Sequence, residues 1–260
     1  MKAARISRVM LLVIAVGITP CVATGARPLP VPRTAEPVLT TGPRAWALAT
    51  TALLTYRNRQ RLDMLCPGVR SDSNLAETRG ILHDWWGIDN RSDLLRVLEY
   101  LDREGHRIEF QRQGQSLLAM PVARFRMALL AARNQPGAVR RMKLLREYYP
   151  RCRRNSFVGW DYCRYIMLCR WGYMLGFLTE DEAWGRIMPA ARTIQGAFGS
   201  WAELGGDYLT GREFWSQEET RRTGQIYRDI QAWLVKEPQS PWNQLPWRME
   251  LGAGAPPARR

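Results

Sequence analysis

Apolar residues recur at helical spacing along this 260-residue chain, and no segment sustains apolar–polar alternation. A first helical run, Ala45 to about Leu62, carries Trp46, Ala49, Leu53 and Tyr56 after a Thr41-Gly42-Pro43 start. A short helix is predicted from Asn74 to Trp86, stopped by Gly87. Ser92 is placed to cap a helix whose stripe is Leu94, Leu95, Leu98 and Leu101, with Gly105 as its stop. Met120–Arg133 reads as helix, Gln135-Pro136-Gly137 interrupts it, and Val139–Tyr149 continues to a stop at Pro150. Trp160–Phe177 is apolar on nearly every side, the mark of a central buried helix. Thr179 and Glu182 form a capping-box signature for a helix to about Phe198, with Pro189 as a candidate kink. Ser200 and Glu203 repeat that signature, and Glu218–Val235 is the last expected helix. The pattern predicts an all-α fold: a single compact multi-helix domain of about eight to ten helices over 41–247, with an irregular tail, 248–260.

The first residues follow another rule. Lys2, Arg5 and Arg8 precede an unbroken apolar or small run, Val9–Ile18, then Thr19-Pro20 and the small, mostly neutral stretch Cys21–Ala26. This is the layout of a secretory signal, and about ten apolar residues are too few to span a bilayer comfortably. Residues 1–26 are expected to be a signal peptide, with an uncleaved anchor as the alternative. Cys21 raises a lipid-attachment reading, but Pro20 stands where that motif takes Gly, Ala or Ser. Four prolines in "RPLPVPRTAEP" (Arg27–Pro37) make 27–40 an extended linker. The expected location is periplasmic or secreted, tethered to the inner membrane if the signal persists.

Export changes the meaning of the charge. The formal net charge is +14, and loss of Lys2, Arg5 and Arg8 leaves +11. Most of that excess lies between Arg112 and Arg154, where eleven Arg or Lys face one acid, Glu147. Within it, "RRMKLLREYYPRCRR" interleaves Leu144, Leu145, Tyr148 and Tyr149 with cations, an amphipathic basic pattern. Arg140, Arg141 and Lys143 are therefore candidate binding residues for an anionic membrane surface, a cell-wall polymer or an acidic protein. Nucleic acid is not an expected partner of an exported chain. With two histidines and no C-x-x-C, no metal site is expected, and no cofactor motif points to a bound group. Cys163 and Cys169 point to different helix faces; Cys66 or Cys152 is left as a partner for one of them.

No G-x-S-x-G, P-loop, H-E-x-x-H or G-x-G-x-x-G occurs. Asp161, Arg164 and Arg170 are the charges on the most apolar helix; Asp161 and Arg164, three apart, are expected to form a buried ion pair. His106 follows the expected end of a helix, where a charged imidazole would cap carbonyls; a His106–Glu109 pair is the sharper alternative. Arg212 is placed to reach Asp161 or an anionic ligand. Trp160, Trp201 and Trp215 are expected to line a groove with Arg164 and Arg212, and Gly205, Gly206 and Gly211 to mark close helix packing.

Four stretches carry a resemblance: "WWGIDNRSDLLRVLEYLDREGHRIEF" (Trp85–Phe110), "GWDYCRYIMLCRWGYMLGFLTEDEAW" (Gly159–Trp184), "FGSWAELGGDYLTGREFW" (Phe198–Trp215) and "SPWNQLPW" (Ser240–Trp247). Together they resemble the bacterial family known as domain of unknown function 1266, over roughly residues 45–247. The resemblance implies a helical fold and supplies no catalytic residues; many members lack an export signal. The reading is an exported, non-catalytic helical binding module that uses the basic region and the tryptophan groove. The alternative is an enzyme, a hydrolase by class, with His106, Glu109, Asp161 and Arg212 around a pocket. N-terminal sequencing of the exported product is expected to begin at Thr24 or Arg27, after cleavage behind Ala23 or Ala26.

Overall fold

A computed structural model describes residues 42–152, 155–216 and 224–252, helical throughout apart from turns and connections, with no strand among them. The expected signal (1–26) and linker (27–40) lie outside the described residues, as do the expected helix start at Glu218 and the end of the tail. The helices run α1 (Pro43–Ala49), α2 (Ala52–Arg57), α3 (Asp72–Trp86), α4 (Arg91–Arg103), α5 (Gly105–Ala119) and α6 (Val122–Ala131). They continue α7 (Pro136–Cys152), α8 (Val158–Met174), α9 (Glu180–Ala197), α10 (Trp201–Ser216), α11 (Gln225–Lys236) and α12 (Pro241–Gln244).

Local chemistry explains most boundaries. Ser71 and Asn90 cap α3 and α4 by accepting from Asn74 and Asp93 N–H, so Asn90 takes the role expected of Ser92. Gly87, in the left-handed region, closes α3 as expected. Thr179 and Glu182 form the capping box of α9, and Arg91 of α4 ties onto the same Glu182. Ser200 accepts from Glu203 N–H at the start of α10. Pro189 lies within α9 and Pro150 within α7, each without ending its helix. The first expected run is broken at Thr50-Thr51, whose hydroxyls bond back to the Ala47 and Leu48 carbonyls. The larger correction is α5. The chain turns at Gly105 and starts another helix at once, where the polar "HRIEFQRQGQS" shows no clean apolar stripe.

Helix α8 is the axis, as its all-round apolar character predicts. It is buried on nearly every face, with α4, α5, α9 and α10 packed around it. Helix α7 packs on α5, and α11 lies against α2 and α10. Helix α6 differs: none of its residues is buried and it packs closely on no other helix.

Two further devices hold this arrangement. Arg170 of α8, fully buried, donates to the Thr51 and Thr55 hydroxyls (3.0 and 2.9 Å) and to the carbonyls of Arg61, Met64 (2.9 Å) and Leu65. Burial pushes its guanidinium down to about 9, still charged at neutral pH, and the fork pins α2 and the following loop onto α8. At the other end Trp46, Trp201, Trp242 and Trp247 form one cluster, with Trp201 stacked on Trp242 and edge-on to Trp247. The indole N–H groups of Trp201, Trp242 and Trp247 donate to the Leu245, Ala49 and Phe198 carbonyls, binding α1 and the C-terminal segment to α10.

Helix α10 can approach α8 because Gly211 has no side chain: a Cβ there would lie 2.4 Å from Trp160 Cβ. Gly206, on the same helix, faces open space. Urea denaturation is expected to separate them. Gly211→Ala should lose about 1–3 kcal/mol by overpacking, whereas Gly206→Ala should be neutral or gain up to about 1 kcal/mol of helix propensity.

Candidate functional site

Asp161, in the first turn of α8, is fully buried and takes four donors. Oδ1 accepts from the His106 backbone N–H (3.0 Å) and Arg164 Nη2 (2.7 Å). Oδ2 accepts from the Arg107 backbone N–H (3.1 Å) and Arg107 Nη1 (3.2 Å). The two backbone donors are orphan groups at the N-terminus of α5, whose own capping residue, Glu104, supplies no side-chain bond. Asp161 thus caps α5 from another helix. Gly105, at φ 57, is required here twice over: by its left-handed backbone, and because a Cβ would fall 2.0 Å from Asp161 Oδ2. Burial pushes the Asp161 carboxyl up, and contacts with His106 and the Arg164 charge more than offset it, leaving the pKa below the usual carboxylate range.

The expected Asp161–Arg164 pair is present, and two expectations around it are corrected. His106 is not a charged cap beyond a helix end. It is buried in the first turn of α5, and its Nδ1 lies 3.0 Å from Arg164 Nη2, so that nitrogen must accept. Burial first, then the Arg164 charge, pushes its pKa down and keeps the ring neutral. The carbonyl-capping role falls to its neighbour Arg107, whose guanidinium donates to Leu101 and Asp102 at the end of α4. Arg212 is not among the partners of Asp161; its guanidinium lies over the Tyr227 ring, 4.8 Å from the centroid.

Asp207, not singled out in the sequence, repeats the device. From α10 it accepts from the backbone N–H groups of Phe157 (2.7 Å), Gly159 (2.8 Å) and Trp160 (3.2 Å), the N-terminus of α8. Phe157 sits at φ 66 and offers no side-chain cap. Burial pushes the Asp207 carboxyl up to about 7, against the pull of those three donors. The available signal was a lone acid inside "LGGDYL", an otherwise uncharged stretch of helix.

The tryptophans separate into two groups. Trp160 is buried against Tyr208 and lies 6.1 Å from Trp215, which meets the exposed Trp85 at 5.9 Å. The Arg164 guanidinium lies between Trp160 (4.0 Å) and Trp86 (5.3 Å). Trp201 belongs instead to the Trp46–Trp242–Trp247 cluster at the other end of α10, about 20 Å of helix away. No single groove holds all three expected rings.

Glu109, one turn beyond His106, faces α7. It accepts from Arg141 (2.8 Å) and Gln113 (2.8 Å), and Arg141 also lies over the Phe214 ring at 3.9 Å. Beside this pair lies an open hollow of about 730 Å³, lined from α5, α7 and the connection before α7 by Arg112, Gln113, Ser116, Gln135, Arg141 and the apolar Leu117, Met142 and Leu145. Lys143 is exposed and Arg140 half-buried on α7. From Phe110 to Arg146 the chain has eight Arg or Lys and no acid. Cys66, Cys163 and Cys169 are free thiols, the last two buried, so the bridge left open from Cys66 is not formed; the Cys152 side chain lies outside the description. Among the described residues no group of three or more His, Cys, Asp or Glu could share a metal ion, and no helix is long and apolar enough to cross a membrane.

Comparison with known proteins places this geometry in a family context. A sequence model of the family described as "Protein of unknown function (DUF1266)" matches residues 81–247. The chain is similar to the uncharacterized protein YbeR of Escherichia coli (strain K12), 26% identical over 135 residues, 52% of this chain and 56% of YbeR. It is also similar to the uncharacterized protein YbeU of the same organism, 25% identical over 137 residues, with the same 52% and 56% coverage. The chain spans about half the length of these curated relatives. No solved structure matches it.

Asp207 has a signed consequence for stability. Its folded pKa, about 7, lies above the unfolded carboxylate value, so the fold favours the protonated form. That contribution is fully present in acid below the unfolded pKa and is lost as pH rises through about 7. Asp207→Asn mimics the neutral form at every pH. In chemical denaturation the stability of the native chain relative to this variant is expected to fall between pH 4 and pH 7, by a few kcal/mol. Asp161→Ala, which strands Arg164 and two backbone donors, should cost about 3–5 kcal/mol.

Proposed function

The chain belongs to the DUF1266 family, and from that premise we propose that it is an exported helical binding module that engages an anionic partner through the basic face of α5, α6 and α7. One observation carries this reading: an acid-free run of eight cations, Arg112 to Arg146, spans α5 to α7, and two of them, Arg112 and Arg141, line an open hollow. The titratable groups that a hydrolase would need are engaged in holding helices together. His106 and Asp161 are buried in the α5 cap, Glu109 is paired with Arg141, and Arg212 lies over Tyr227. Neither His106 nor Asp161 lines the hollow. General acid–base work requires reach to a substrate proton, and buried capping groups lack it.

The half-buried Trp215, with Trp85 exposed beside it, is a secondary contact surface in this proposal. Export rests on the Lys2–Ala26 layout. The test is salt-dependent retention of the full chain on two polyanionic matrices, heparin and polyglutamate. Retention that weakens with salt is expected, because exposed charges are screened within about 8 Å at physiological ionic strength. Arg140→Glu/Lys143→Glu should elute at lower salt with an unchanged circular dichroism spectrum. Absence of retention, or retention indifferent to these substitutions, would refute the proposal.

A further inference from the structure

Helix α6 is the anomaly of the fold. Its sequence, VARFRMALLA, contains no Asp, Glu, Ser or Asn, yet none of its residues is buried. Val122 (57%), Met127 (64%) and Leu130 (57%) are among the most exposed large apolar side chains described. Full burial of one such side chain is ordinarily favourable by about 1.5–3 kcal/mol, so Met127 and Leu130, left in water on one short helix, call for an occupant.

The exposed arc is ordered. Ala123, Met127, Leu130 and Ala131 follow the i, i+4, i+7, i+8 rule of a single helix face, and all four are exposed. Arg126 borders that face on one side and Arg124 on the other, both exposed. The opposite face carries Phe125 and Leu129, and Phe125 lies under the Arg146 guanidinium of α7 at 5.0 Å. The helix is therefore fastened by one edge, with an apolar strip turned outward between two guanidinium groups. Arg133 follows it, and the Arg112 and Arg141 hollow opens where the α6–α7 connection enters α7.

We infer that α6 lies in the headgroup region of an anionic lipid bilayer, with Met127 and Leu130 against the acyl chains and Arg124 and Arg126 reaching phosphates. This rests on the basic-face reading above and names its partner. Ten residues give a helix of about 15 Å, half the hydrocarbon thickness, so α6 lies in the plane of the surface and does not cross it. An acidic polymer would satisfy the arginines and leave the apolar strip in water. A membrane surface satisfies both, because long cationic side chains extend to the headgroups while their neighbours sit lower. Charge complementarity is strong, since no acid lies between Glu109 and Glu147.

The experiment is hydrogen–deuterium exchange on the full chain with vesicles of phosphatidylcholine alone or mixed equally with phosphatidylglycerol. Amides of 122–133 should gain protection on the anionic vesicles only. Met127→Ser/Leu130→Ser keeps every charge and alters exposed positions. It should abolish that protection and weaken vesicle affinity by about ten-fold or more, with heparin retention and the circular dichroism spectrum unchanged. Arg124→Gln/Arg126→Gln is the second variant and should weaken vesicle binding comparably while retaining the apolar strip. Vesicle binding without protection of 122–133 would locate the contact elsewhere, at residues 1–26 for example, and overturn the inference. Retention on heparin or polyglutamate with no vesicle binding would overturn it in favour of an acidic polymer or protein, leaving the basic-face reading intact. Failure on every anionic probe would remove both.

Discussion

Two buried aspartates bear on the rest of the molecule through the unsatisfied N–H groups at helix N-termini. Asp207 of α10 accepts three such donors at the start of α8, and Asp161, one turn into α8, accepts two at the start of α5. The helices are thereby linked in series, α10 to α8 to α5, and Arg107 closes the corner back to the carbonyls of α4. Each link exchanges water for protein partners on groups that are costly to leave unpaired in a dry interior. The ionised Asp161 also sits at the positive end of the α5 dipole. A local side-chain cap would have stabilised one helix; a cap from a neighbour stabilises the helix and fixes its position relative to that neighbour.

The same contacts set the charge states of the buried residues. Asp161 is ionised because its partners outweigh burial, and His106 is neutral because burial and Arg164 outweigh Asp161. Their environments push the pair apart, which in an open cleft would suit acid–base work. Here the pair is buried, with the Arg164 guanidinium bonded to Asp161 and 3.0 Å from His106 Nδ1.

The outer half of the molecule obeys different physics. Helices α5 and α7 meet through Glu109, Gln113 and Arg141, whereas α6 is fastened by Phe125 beneath Arg146 and otherwise faces outward. The centre is capped and buried, whereas the rim at α6 is apolar, cationic and exposed. Packing that centre requires small residues where axes cross, and Gly211 against Trp160 is the clearest instance.

Periodicity alone determined the all-α class, the central position of Trp160–Phe177, the α9 capping box and the Asp161–Arg164 pair, because each depends on residues within a few positions of one another. The concentration of cations between Arg112 and Arg154 was equally legible, since charge counts need no coordinates. Tertiary structure decided the rest. Helix α5 was hidden because its cap, Asp161, lies more than fifty residues away and its first turn has no apolar stripe. Arg107 rather than His106 caps α4, a choice set by which side chain points outward from a buried corner. Trp201 left the expected groove because the length of α10 carries it to another cluster. The sequence pattern makes Met120–Arg133 a helix without saying which of its faces is covered; only the packing of the other helices, which leaves α6 outside, makes Met127 and Leu130 surface.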